Sequence, residues 1–166
     1  MIQVRLPDGA IKSVRQGTTP IEIATSISEG LARNVLSASY NGEVVESSTP
    51  LQVDGDLILY TWNDAEGKKA FWHSSAHVLA QAILAFYPKA KLTIGPAIDN
   101  GFYYDVDLGS DTISEKEFPA IEKKFIELAR GKHEFTMRSV SKADALAMYD
   151  SQKNQYKVEL IENLTD

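Results

Sequence analysis

Two of the chain's three histidines, His73 and His77, lie four residues apart in the string His73-Ser74-Ser75-Ala76-His77. On a helix that spacing puts both imidazoles on one face, one above the other, and Gln81 continues the line. Two adjacent imidazoles can orient a water, shuttle its proton or bind a metal; solvated or capping histidines are the bland alternative. A zinc-protease reading fails, because Ser74 stands where that motif needs a glutamate as general base. A zinc site would also need a third protein ligand. His133, Asp105 and Asp107 are available, but nothing in their spacing points to the helix. With no cysteine in the sequence, a thiolate nucleophile or thiolate metal ligand is ruled out within these residues.

The other chemistry-bearing residues read first as structure. Gly95-Pro96 and Asp99-Asn100-Gly101 have the composition of turns. Phe102-Tyr103-Tyr104 would place alternate aromatics on opposite faces of a strand, where packing is the ordinary role. Lys157 falls on an edge-like strand near the end, by default a solvated lysine, and Lys123-Lys124 reads as a solvated helix face.

The elements that must position these residues fall on either side of a polar seam, Asn63 to Lys69, giving regions 1–62 and 63–166. Before it the pattern is β-β-α-β-β-β. Ile2–Leu6 alternates, Pro7-Asp8-Gly9 turns the chain, and a second strand runs through Val14. Thr19-Pro20-Ile21-Glu22 is a helix start with N-cap, proline at N1 and a capping-box glutamate. Ile23, Ala24 and Ile27 form its buried face, with Gly30 as a stop. Asn41-Gly42 joins a hairpin from Val35–Tyr40 to Glu43–Glu46, and Leu57–Tyr60 is a central closing strand.

After the seam, Ala70–Tyr87 is the strongest helix, with Ala76, Leu79, Ala80, Ile83 and Tyr87 as its apolar stripe and Pro88 as its end. Leu92–Ile98 and Phe102–Leu108 make a hairpin. A helix between Ser114 and Gly131 buries Phe118, Ile121, Phe125 and Leu128; either Ser114 with Glu117 caps it or Pro119 marks its first turn. His133–Val140 reads as a strand, Ser141 with Asp144 caps a last helix, and Tyr156–Ile161 reads as a strand. The fold class is therefore α+β: a β-grasp pattern followed by a second α+β region.

The bulk numbers set the frame. At 166 residues, 43% hydrophobic and 24% charged, the chain has the composition of a soluble globular protein. No apolar run approaches the roughly 18 residues that suggest a membrane span, and the N-terminus lacks the features of a signal peptide. The absence of cysteine makes a cytoplasmic location the natural expectation. A formal net charge of -6 argues against tight, non-specific RNA binding, although not against a pocket for one RNA end held by other domains.

Taken together, several strings resemble the N-terminal part of bacterial-type threonyl-tRNA synthetases. His73-Ser74-Ser75-Ala76-His77, then Ile94-Gly95-Pro96-Ala97-Ile98-Asp99-Asn100-Gly101-Phe102-Tyr103-Tyr104-Asp105, are similar to the start of that family's editing domain, and Tyr156-Lys157-Val158 fits its later part. Residues 1–62, with Leu6-Pro7-Asp8-Gly9 and Asn41-Gly42, are similar to its TGS β-grasp domain. The resemblance implies post-transfer editing, the hydrolysis of seryl-tRNA(Thr). A missing methyl weakens binding by only about 1–3 kcal/mol, too little for faithful charging of threonine over serine. By position it implies that His73 and His77 orient the water and handle protons, and that Lys157 offers positive charge near the ester. Tyr104, Gly95 and Asp99 would serve substrate binding.

The same resemblance implies a parent enzyme that attaches threonine to tRNA(Thr) with ATP and magnesium, holds zinc in a catalytic core, and dimerises through domains absent here. No cofactor is expected in this chain; its expected partner is the acceptor end of tRNA(Thr). Two departures stand out: many members carry cysteine where Ser75 stands, and the family completes its editing site with an Asp-x-Cys-x-x-x-His segment that this sequence lacks. The chain is therefore expected to be a truncated, inactive piece that self-associates through an open sheet edge. The alternatives are a free-standing editing hydrolase and a non-catalytic TGS-type RNA- or ligand-binding module. The first needs the missing segment, and the second leaves the histidine pair unexplained.

Overall fold

A computed structural model describes residues 1–131, 133 and 138–164, and the chain divides into two compact units, Met1–Trp72 and His73–Asp166. None of the described helices is long and apolar enough to cross a membrane.

The first unit is a β-grasp. Strand β1 (Ile2–Arg5) alternates buried and exposed residues, as its sequence does, and pairs antiparallel with β2 (Ile11–Val14). Helix α1 (Pro20–Ile27) starts on the expected capping box: the Thr19 side chain accepts from the Glu22 amide while the Glu22 carboxylate accepts from the Thr19 amide at 2.8 Å. Its end differs from expectation. Ser28 is extended and breaks the helix, and its hydroxyl then accepts from Leu31 N to start a second helix, α2 (Glu29–Asn34). Gly30 thus lies inside α2, and Ile27, at 42% exposed, lies outside the core.

Strands β3 (Ser37–Tyr40) and β4 (Glu43–Val45) form the hairpin signalled by Asn41-Gly42, whose φ values of 53° and 83° suit a type I′ turn. Strand β5 (Gly55–Tyr60) is central, parallel to β1 and antiparallel to β3, in a sheet ordered β2-β1-β5-β3-β4. Ile2, Val4, Ile23, Ala38, Tyr40, Leu51 and Leu57 make one buried cluster between this sheet and α1.

The polar seam is a helix start. Asp64 accepts from both the amide and the hydroxyl of Thr61, and its carbonyl takes the amide of Lys68 as the first helical bond. Helix α3 therefore runs Ala65–Phe86, five residues earlier than its apolar periodicity suggests. These polar contacts involve no apolar residue and so leave no mark on a hydrophobic pattern. Trp62, Phe71 and Trp72 meet edge to face around this junction, with ring centroids 5.1–5.5 Å apart.

In the second unit the expected stripe of α3 is present: Ala76, Ala80 and Ile83 are buried, with Leu79 and Tyr87 packed nearby. The expected hairpin is split into two ladders. Strands β7 (Ala97–Ile98) and β8 (Gly101–Phe102) flank the Asp99-Asn100 turn, while β6 (Lys91–Leu92) pairs with β9 (Val106–Asp107). Between them Thr93 N donates to Asp105 O, and Asp105 N donates to Ile94 O, each at 3.1 Å.

Helix α4 (Phe118–Arg130) begins with Pro119 in its first turn. Ser114 and Glu117 bond to one another in the turn just before it. Ile121 is buried and Phe125 and Leu128 pack beside it, but Phe118 is half exposed. The strand expected over His133–Val140 lies largely outside the described residues. Helix α5 (Lys142–Ser151) starts on Ser141, whose hydroxyl accepts from Asp144 N.

The last element corrects the sequence reading. Tyr156–Ile161 belongs to a helix, α6 (Gln155–Glu162), and Lys157 sits in its first turn. Tyr-Lys-Val-Glu alternates as a strand would, but Asn154 supplies a helix cap by accepting from Lys157 N at 3.3 Å. That local hydrogen bond decides a segment whose apolar pattern is ambiguous.

Candidate functional site

His73 and His77 project from one face of α3, beside its buried alanine stripe, and both remain accessible. Their Nε2 atoms are 3.1 Å apart, with ring centroids 4.6 Å apart and planes nearly perpendicular at 82°. One ring must donate and the other accept across this contact. At most one of the two can then carry a second proton, so the pair holds at least one neutral imidazole. Partial burial lowers the pKa of His77 below the ordinary histidine value, and the charges of His73 and Lys157 add to that shift.

Lys157 comes to His77 from α6, eighty residues along the chain, close enough for its charge to act on the ring. Burial holds its amine below the ordinary lysine pKa. The structure thus joins His73 to His77 directly and sets the partly buried Lys157 amine within electrostatic reach of His77, a set of groups able to orient a water, accept its proton and face negative charge.

Gly95 and Tyr104 form a second contact in the loops between the two ladders. A Cβ on Gly95 would lie 2.3 Å from Tyr104 Cδ2, so the ring lies flush against this glycine and any side chain would displace it. Burial raises the pKa of the Tyr104 hydroxyl, with a further contribution from Tyr149 of α5. Asp99 is not drawn in; it is exposed at the β7–β8 turn, and no described hydrogen bond or ion pair links it to the other candidates.

For a metal, the histidine pair offers two donors, but among the described residues no group of three His, Cys, Asp or Glu converges. Asp107, available by type, is committed elsewhere: Oδ1 accepts from Gly109 N at 2.8 Å and Oδ2 from the Tyr156 hydroxyl at 2.9 Å. His133 folds over Gly131, its Nε2 2.7 Å from where a Cβ would stand.

Tyr149 and Asn154 escaped the sequence reading as parts of the site region, and Asp107 entered it only as a possible metal ligand. Only Asn154 carried a local signal, as an asparagine one residue before a helix.

The chain's similarities cover it end to end. The TGS domain family matches residues 2–60. The whole chain is 61% identical to a threonine–tRNA ligase of Flavobacterium johnsoniae, 58% to one of Flavobacterium psychrophilum and 51% to one of Cytophaga hutchinsonii. In each case all of the chain is covered, against 25%, 25% and 26% of the relative. The chain thus spans about a quarter of the length of the curated relatives it matches.

Proposed function

We propose, from the premise that the whole chain is homologous to the N-terminal region of threonine–tRNA ligases and carries a TGS domain, that His73, His77 and Lys157 hydrolyse the ester of mischarged seryl-tRNA(Thr). The observation that carries this reading is the 3.1 Å imidazole pair with a partly desolvated lysine in reach. An aminoacyl ester is already activated, so its hydrolysis needs a positioned water, a proton acceptor and a stabilised oxyanion, and no covalent nucleophile.

In this mechanism both rings are neutral and a water is held at Nδ1 of the ring that donates across the pair. As the water attacks the ester carbonyl, that Nδ1 takes its proton, and the shared hydrogen bond to the other imidazole stabilises the resulting charge. Lys157, when protonated, faces the oxyanion. Tyr104, fixed against Gly95, walls the space for the terminal adenosine and the seryl group. Asp99 contributes to the substrate side through its loop.

The partner in this reading is the acceptor end of tRNA(Thr), presented within a ligase that charges threonine with ATP and magnesium and works as a homodimer in the cytoplasm. The zinc implied for such a ligase belongs to its catalytic core; the histidine pair of this chain offers two donors and, among the described residues, no third. No step here is routed through a metal.

The test is deacylation of seryl-tRNA(Thr) by this chain and by a whole ligase carrying it. His73→Ala in the whole ligase is expected to slow hydrolysis by about 10²-fold or more, the scale of general-base catalysis, with threonine charging unchanged. Hydrolysis at the unmutated rate would overturn the assignment.

A further inference from the structure

The charge of Lys157 acts on His77 from the first turn of α6, a helix with no buried residue to fix it. An eight-residue helix with no fully buried side chain is marginal on its own. It packs against α5, and at its C-terminal end the Lys142 amine donates to Glu162 O and Leu164 O; the ties of its first turn are hydrogen bonds that cross long stretches of sequence. Asn154 Nδ2 donates to Leu92 O at 3.1 Å, and the Tyr156 hydroxyl donates to Asp107 Oδ2 at 2.9 Å. Both acceptors belong to one small ladder, in which Leu92 pairs with Val106 and Lys91 with Asp107. The Gly109 amide holds the other oxygen of Asp107, so the acceptor presented to Tyr156 is itself fixed. Asn154 acts at both of its ends, since its Oδ1 also accepts from the amide of Lys157.

We propose that Tyr156 and Asn154, with Asp107 as their anchor, are positioning residues that tie α6 to the β6–β9 ladder and so hold the Lys157 amine partly buried on the side of the unit that carries His77. Both ties are partly buried and each is a single polar contact, so losing one leaves the fold of the unit largely in place while freeing the first turn of α6. The inference deepens the hydrolytic reading and rests on it for its effect on catalysis; the placement of Lys157 can be measured without it.

The decisive variant is Tyr156→Phe, which keeps the ring and removes the hydroxyl. In the chain as it stands, the Lys157 amine should then lose its burial. Its titration, followed by NMR of the Cε carbon, should move up toward that of a free lysine, with the signals of residues 1–60 unchanged. Asn154→Ser keeps a capping oxygen and drops the Leu92 tie, and should move Lys157 in the same direction. In a whole ligase, Tyr156→Phe should lower kcat for seryl-tRNA(Thr) hydrolysis about ten-fold, the scale of one hydrogen bond to a charged group, with KM little changed. Asp107→Asn retains an acceptor oxygen and should keep more activity than Asp107→Ala.

An unmoved Lys157 titration in both Tyr156→Phe and Asn154→Ser would overturn the proposal, as would a loss of hydrolysis in those variants without that movement. Lys157→Met is the control on the underlying reading. If it leaves hydrolysis intact, the catalytic assignment of Lys157 fails, whereas the positioning of its amine is still decided by the titration.

Discussion

The first unit's five-stranded sheet and the second unit's two short ladders show two ways of holding a backbone in place. In the first unit, seven residues from three strands, α1 and the loop before β5 make one continuous buried cluster. In the second, among the described residues, Ala82, Ile83 and Ile121 form the buried cluster, surrounded by side chains that remain partly accessible. The ladders have two residue pairs each, and side-chain hydrogen bonds tie the last helix to one of them. Burial is non-directional and tolerant, so the first unit gains stability without fixing any one polar atom. Hydrogen bonds are directional, and the second unit uses them to tie the helix that carries Lys157 to the β6–β9 ladder.

The largest expected effect separates the two by cavity formation. Leu57→Ala, in the central strand at 1% exposure, should cost about 2–5 kcal/mol. Ile121→Ala should fall at the low end of that range, because its partly open surroundings can collapse. Denaturant melts of the two variants check this, with Trp62 and Trp72 reporting on the first unit. Equal losses would break the comparison.

Gly95→Ala comes next. The added methyl meets the Tyr104 ring at 2.3 Å, and relieving such overpacking should cost about 1–3 kcal/mol. Tyr104→Ala should largely remove that penalty in a double-mutant cycle. Additive losses would show that the ring is not what the methyl displaces.

The smallest effect is a difference in acid response. All three histidines lie at or beyond position 73. His77 has a folded pKa lowered from 6.5, so the unfolded chain binds its proton more readily. Its contribution is intact above about 6.5 and is lost as pH falls through the lower folded value. In the first unit Glu22, lowered from 4.5 by its bonds to Thr19, responds only below about 4.5. Hydrogen exchange across this range should therefore show the second unit loosening first, and His77→Gln should remove the upper part of that response. If both units weaken together near pH 6, the lowered His77 pKa is not what sets the difference.

How much of this was legible in the residues depended on distance along the chain. The Thr19 capping box, the Asn41-Gly42 turn and the stacking of His73 on His77 each need only residues within four positions, and each stands where the spacing places it. Helix α3 was found but started late, because Asp64 begins it through polar contacts with Thr61. The segment Tyr156–Ile161 was misread, since alternation over six residues cannot by itself separate a strand from one helical face.

The sequence by itself determined the β-grasp order of elements, the apolar stripe of α3 and the histidine pair, all set by local periodicity and steric preference. Only the tertiary structure decided that the charge of Lys157 acts on His77 and that Tyr104 rests on Gly95. It also decided that Asp107 serves α6 through Tyr156. Those contacts join residues far apart in the chain, and no local propensity encodes which distant partners meet once the ladders and helices have packed.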